Sequence, residues 1–425
     1  MTAELATLLG CFALLTIIDT PIAVALGLSS AVYIALSGVA PLMVVAQRMV
    51  AGIDSFTLLA IPLFLMAGML MVAGGLAPRI VALFAAIVGR RTGGLALVMI
   101  AACLLFGSLS GSGVADVVAI GTMMLPAMKE RGYPPGFSSA ALGCAGSLGT
   151  VIPPSIVLIV YGTATNASIG KLFLGAIIPG LLLGAGLMMV SWLMARRHGW
   201  RGGEPATWVG MGQALKEAVP ALVAPIIIVG GIRFGIFTPT EAAAAGVVYA
   251  LLVGTLFYRA ITLRALIDMV RDTAETTGAI LLVIAAASVF GWILAVERVP
   301  QMAVSLIQGM TDSPTLALSL LMGVVLVLGT FMESLAIILI LAPVFTPILA
   351  AYQIDKVYFG VLLTVALAIG ANTPPLGIDL MAACRTAGIP MSESFRYLWP
   401  LVGVMTAVLF LLVLIPQIVT VVIGA

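Results

Sequence analysis

Charge is scarce in this chain: 8% of its 425 residues are Asp, Glu, Lys or Arg, where a soluble fold carries about a quarter. That shortage excludes an ordinary water-soluble enzyme or binding domain. With 19 basic residues against 17 acidic ones, the net charge of +2 provides no basic field for nucleic acid and no acidic tail. Histidine is nearly missing as well. The single His198 lies in the polar stretch Arg-Arg-His-Gly-Trp-Arg, so histidine-based chemistry inside a membrane is excluded by inventory. The four cysteines, Cys11, Cys103, Cys144 and Cys384, form no CxxC or Cys/His cluster, which removes the spacing that zinc, iron–sulfur or disulfide frameworks need. No basic residue precedes the first apolar run; a cleaved signal peptide is not expected, and the first helix should stay.

Apolar residues fill the space that charge leaves, at 62% of the chain and a mean hydropathy of +1.25. This is the composition of an all-α polytopic protein embedded in a lipid bilayer. A bilayer core takes about 20 apolar residues per spanning helix, which predicts ten crossings, at 5–19, 21–40, 58–76, 136–163, 171–195, 219–237, 240–257, 278–296, 357–383 and 397–419. Two further apolar stretches, 95–128 and 316–350, exceed one span. They are interrupted by Gly107-Ser-Leu-Ser-Gly-Ser-Gly113 and Leu328-Gly-Thr-Phe-Met-Glu-Ser334, and each reads as a re-entrant hairpin.

The two series are one unit written twice. Gly149 and Pro153-Pro154 recur 221 residues later as Gly370 and Pro374-Pro375, Pro126 maps to Pro347 and Phe137 to Tyr358. With a slip of one residue, Gly107-Ser108 maps to Gly329-Thr330 and Pro78 to Pro300. Five crossings per unit make the second repeat inverted relative to the first, the arrangement of secondary transporters built from broken helices. Placing the loop with Arg196, Arg197, Arg201 and Lys216 in the cytoplasm puts 14 of 19 basic residues inside, as the positive-inside rule requires. Both termini then face the periplasm. The first hairpin, with Lys129 and Arg131 at its base, enters from the cytoplasm and the second from the opposite face. Segments 41–55 and 261–277 are too short or too polar to span, and read as interfacial arms or plain amphipathic connectors.

Backbone freed from a helix inside a membrane is tolerated only where something satisfies it, and a small hard cation takes oxygens from carbonyls and hydroxyls. The first tip together with the break at Gly146–Pro154 therefore reads as one sodium site, while Gly329 and Thr330 with the break from Gly370 to Gly377 supply its mirror image. The alternating Gly and Ser of the first tip are not expected to hold a regular helix. Thr150, Asn372 and Thr373 are the neutral polar side chains nearest the midplane. Simple close packing of small residues is the competing reading. Asp116, Glu333 and Asp379 are costly acids within spans, open to cation binding, proton relay or internal pairing. Fixed carboxylates repel an anionic substrate, which leaves neutral donors and half-helix N-termini to hold one.

Phe106-Gly-Ser-Leu-Ser-Gly-Ser-Gly113, the Gly149–Pro154 break and Gly370-Ala-Asn-Thr-Pro-Pro-Leu-Gly377 together resemble the large membrane subunit of tripartite ATP-independent periplasmic (TRAP) transporters, from the first helix to the last. The resemblance implies an elevator-type fold of the ion-transporter superfamily in a bacterial inner membrane and no enzymatic activity. It also implies Na+ as coupling ion without an organic cofactor, a separate small four-helix membrane subunit, and a periplasmic substrate-binding protein. The cargo would be a small organic acid such as a C4-dicarboxylate, sialic acid or another sugar acid. By position, Ser108, Ser110, Ser112, Gly149, Ile152 and Pro154 would form the first sodium site, and Gly329, Thr330, Gly370 and Thr373 the second. Substrate would lie between the tips near Ser112, Thr150, Asn372 and Thr373. Residues 1–90 and 201–310 would be scaffold with arms, 91–200 and 311–425 the two halves of the moving unit. A stand-alone sodium- or proton-coupled carboxylate symporter has the same physics. An intramembrane serine hydrolase using Ser110 would lack a nearby base, and a channel would not need the inverted hairpins.

Overall fold

The computed structural model describes residues 3–89, 91–200, 202 and 208–423; Arg90, one of the 14 basic residues that the orientation puts inside, and Arg201 lie outside them. Every regular element among the described residues is helical. Among the described residues seven helices are long and apolar enough to span: Phe56–Ala73, Ile169–His198, Gly210–Arg233, Pro239–Phe257, Leu263–Val296, Ser334–Ala351 and Met391–Leu414. The pair Pro135–Val151 and Ile156–Thr165, bent by 41°, makes an eighth. Six of the ten expected crossings are thus single spanning helices and a seventh is the bent pair. The other three are shorter pieces, Ala3–Ile17, Ile22–Ser37, and Lys356–Gly370 followed by Ile378–Ala387. At about 1.5 Å per residue, the first two reach only part of the roughly 30 Å hydrocarbon core.

Both hairpins are present, as Gly94–Ser110 with Gly113–Glu130 and as Pro314–Gly329 with Ser334–Ala351. Ahead of each lies a short amphipathic helix, Leu76–Val88 and Val299–Met310, that the span count passed over because 12 or 13 residues cannot cross a bilayer. Segment 41–55, read as an arm or a plain connector, is the helix Met43–Ile53. Its counterpart differs from expectation. Residues 261–277 and 278–296 form no arm followed by a span, but one unbroken helix of 34 residues, Leu263–Val296, started by the Thr262 hydroxyl accepting from the Ala265 amide. The polarity of 261–277 set the expected boundary, yet Arg264, Asp268, Arg271, Asp272 and Glu275 lie within the same helix as the apolar span that follows, and the lone Gly278 between them costs only about 1 kcal/mol.

The repeats are interlocked. Ile22–Ser37 packs on the long helix of the second repeat, and Pro239–Leu252 packs in return on Ala60–Ala73 of the first. Likewise Ile156–Thr165 lies on the second hairpin's outgoing helix, and Ile378–Ala387 on that of the first. A small core of Leu8, Leu26, Tyr33, Ile34, Val289, Phe290 and Ile293 ties the first two helices to the long helix, separate from the large core that holds both hairpins. Tyr33 also donates a hydrogen bond to Glu297.

Candidate functional site

The first hairpin turns at two residues. Its incoming helix runs through Gly107, Ser108 and Leu109 to Ser110; Gly111, at φ 64°, closes it with its amide on the Gly107 carbonyl at 3.0 Å, and extended Ser112 leads into the outgoing helix. The Gly/Ser alternation therefore does hold a helix, against expectation. The reason is contact: the absent side chains admit a second backbone. A methyl on Gly107 would sit 2.6 Å from Gly149 Cα on the broken helix. The second repeat copies the arrangement, for a methyl on Gly370 would fall 2.6 Å from Gly329 Cα. The repeat-related glycines thus bring each tip against its own break, and the Leu376 amide donates to the Thr330 carbonyl at 3.0 Å.

Between the tips lies a cavity of about 340 Å³, within the range of small-molecule sites. Four helices begin at its wall. Gly113 and Val114, Ile156 and Val157, Ser334 and Leu335, and Ile378 and Asp379 are the opening residues of the two outgoing hairpin helices and the two second halves of the broken helices. Each N-terminus carries about half a positive charge, although the Leu158 amide donates to the Ser155 hydroxyl and the Asp379 amide to the Ala371 carbonyl. Leu65 of the first repeat and Thr276, Ala279, Ile280 and Val283 of the long helix close the far side. Among the described residues no Lys or Arg lines the cavity, while Glu333 and Asp379 do.

Of the residues singled out from sequence, Ser112, Thr150, Glu333 and Asp379 line this cavity. Ser108, Thr150, Thr330 and Thr373 donate their hydroxyl protons to carbonyls of their own helices, Leu105, Ser147, Val327 and Ile369, at 2.5 to 2.8 Å. Their oxygen lone pairs stay free to accept or to ligate a cation. Ser110 donates to Asp116, whose second oxygen, buried and without a hydrogen-bond partner, faces Gly149. Ile152 and Pro154 form the extended break of the first broken helix, with Ile152 packed against Gly180. Asn372 is not brought to the cavity. Its amide donates to Ala368 and its carbonyl oxygen is buried against Gly143; Ala371 lines the wall instead. Asp379 is buried against Gly113, as an acid within the span. The wall supplied by the long helix was not legible in the sequence, since Thr276 falls in the segment 261–277, read as an arm or a plain connector.

His198 is exposed at a helix end with its ring on the Met194 carbonyl, so Ser110 gains no base. Among the described residues no group of three His, Cys, Asp or Glu stands ready for a metal. Carbonyls and hydroxyls at two breaks suit a hard monovalent cation better than a transition metal.

The profile of the family described as "Tripartite ATP-independent periplasmic transporter, DctM component" matches residues 9–418. The chain belongs to the DctM family. As a DctM component it is part of a membrane transporter and not an enzyme. It is 40% identical to the sialic acid TRAP transporter large permease protein SiaM of Vibrio cholerae, over 88% of this chain and 87% of that one. It is 37% identical to the 2,3-diketo-L-gulonate TRAP transporter large permease protein YiaN of Escherichia coli, over 97% of each. The isethionate TRAP transporter permease protein DctMQ of Oleidesulfovibrio alaskensis is 40% identical over 97% of this chain, which spans 65% of that longer relative. The fold is similar to the crystal structure of the Alcanivorax borkumensis YdaH transporter, with a TM-score of 0.60 at 16% identity over 88% of both chains.

Proposed function

We propose that this DctM-family subunit imports a small organic acid, a C4-dicarboxylate, sialic acid or other sugar acid, together with sodium ions. A periplasmic binding protein delivers the acid, and a small four-helix membrane subunit completes the complex in a bacterial inner membrane, with both termini periplasmic. The reading rests above all on the four helix N-termini at one cavity. Together they supply about +2 of partial charge, which the ionised carboxylates of Glu333 and Asp379 would cancel. An anionic acid entering such a site needs added positive charge, and among the described residues no Lys or Arg lines it. Cations held at the two breaks, by Ser108, Ser110, Ser112, Gly149, Ile152 and Pro154 and by Gly329, Thr330, Gly370 and Thr373, would supply it. Coupling then follows from electrostatics: the acid binds well only after sodium.

Proteoliposome uptake of a labelled acid, with the binding protein supplied, tests this. An inward sodium gradient should drive uptake, and choline in place of sodium at fixed membrane potential should reduce it to background. Equal uptake in choline would remove sodium from the mechanism. Ser112→Leu and Thr373→Leu should each raise the half-saturating sodium concentration roughly tenfold or more, as expected from losing one ligand to a charged group. Sodium titrations that match wild type in both variants would favour simple packing at the breaks.

A further inference from the structure

A second cavity, of about 500 Å³, lies at the opposite ends of the two helices that open at the first. Gly113–Glu130 and Ile378–Ala387 both start at the cavity between the tips and finish here. Sixteen residues from Gly113 to Lys129 set the two cavities about 24 Å apart along the helix. Its polar wall is made of Lys129, Thr122, Ser138 and Thr386, and among the described residues no Asp or Glu lines it. Lys129 has no carboxylate partner among the described residues. Ser138 is 2% exposed, sits in the first turns of the helix Pro135–Gly146, and its hydroxyl has no hydrogen-bond partner.

The fold does not require this polarity. At the repeat distance of 221 residues, Thr122, Lys129 and Ser138 correspond to Pro343, Ala350 and Phe359. There the Phe359 ring is fully buried and packs on Tyr161 and Phe345. One repeat fills the place with an aromatic side chain; the other keeps it open with an ammonium and an unsatisfied hydroxyl.

We propose that this cavity is a second binding site, for a small oxyanion carrying a carboxylate or phosphate group, with Lys129 as its charge and Ser138 as its buried donor. That it faces the cytoplasm rests on the orientation proposed above; that it binds an oxyanion does not. A site there samples anions on the side where imported acid accumulates.

The test uses the full chain in nanodiscs of zwitterionic lipid, in sodium-free potassium buffer at constant ionic strength, with inorganic phosphate as the probe. The unfolding midpoint should rise saturably with phosphate. Lys129→Gln should raise the half-saturating concentration about tenfold, Ser138→Ala should weaken it by a smaller factor, and Lys129→Arg should retain it. Phosphate should also slow the reaction of Thr386→Cys with a charged thiol reagent, a readout independent of stability. Ser112→Leu, disabled at the first cavity, should keep the phosphate response, which separates failure of this site from failure of the transport reading. Protection by anionic phospholipid in the nanodisc and not by free phosphate would support the site with a lipid headgroup as its source. Absence of any saturable effect from either, or a Lys129→Gln response equal to wild type, would overturn the proposal.

Discussion

Gly149→Val and Gly370→Val are expected to reduce uptake to near background while the protein still reaches the membrane. Glycine at these positions lets two backbones meet. A Cβ on Gly149 would lie 2.1 Å from the Asp116 carboxylate, and one on Gly370 would lie 2.6 Å from Gly329 Cα. Neither obstacle is the free end of a flexible side chain: Asp116 is fully buried and tied to Ser110, and Gly329 is main chain. Overpacking of this kind costs about 1–3 kcal/mol or more, and here the strain falls on the pairing of tip and break that would hold the cation. A loss on the order of a hundredfold in apparent sodium affinity follows, because 2.7 kcal/mol is about a hundredfold. Gly323→Ala and Gly278→Ala are the controls, since both glycines lie within helices and a Cβ at either meets nothing within 4 Å. Sodium titration of uptake, with surface expression measured in parallel, checks the contrast. If Gly370→Val transports like the controls, the glycine contact carries no function.

The second large effect concerns motion. Leu65 belongs to the proposed scaffold and Val114 to the first hairpin, and both line the cavity between the tips. With the half-buried Cys11 replaced, bridging Leu65→Cys and Val114→Cys with a short bifunctional thiol reagent should abolish uptake, and releasing the bridge should restore it. An elevator requires more than this one pair. Other scaffold positions, displaced along the membrane normal, must bridge to Val114→Cys in a mutually exclusive set, and each such bridge must also stop transport. If pairs near the tips are the only ones that trap the protein, the hairpin opens as a gate and the rigid-body reading fails. The apolar face of Leu65, Ala279, Ile280 and Val283 is the kind of surface along which a carrier slides without breaking hydrogen bonds.

Much of this architecture was legible because lipid leaves a chain few options. Interrupted apolar runs and paired prolines have little meaning inside a bilayer except as breaks, so the hairpins, the broken helices and the inverted repeat followed from Gly107–Gly113, Pro153-Pro154 and their copies. Features set by tertiary contact were not legible. The tip at Gly107–Ser110 stays helical because Gly149 packs against it, a partner more than 35 residues away. Asn372 turns from the cavity because its amide finds the Ala368 carbonyl one turn back, an option the residue type permits but does not announce. The short helices Leu76–Val88 and Val299–Met310 lacked only length, since each keeps one apolar side.

The two segments that the sequence offered as arms or connectors are built differently. Met43–Ile53 is parted from the helix after it by Asp54 and an extended Ser55, with φ −145° and ψ 124°, whereas its counterpart is fused into a single helix of 34 residues, about 51 Å long. One side therefore has a joint and the other a stiff strut. A unit carried between a joint and a strut would not rise and fall along a straight line; it would swing about the far end of the strut. Any stroke of the hairpin unit would include a turn as well as a shift, so the same cargo would meet the two faces of the membrane in different orientations.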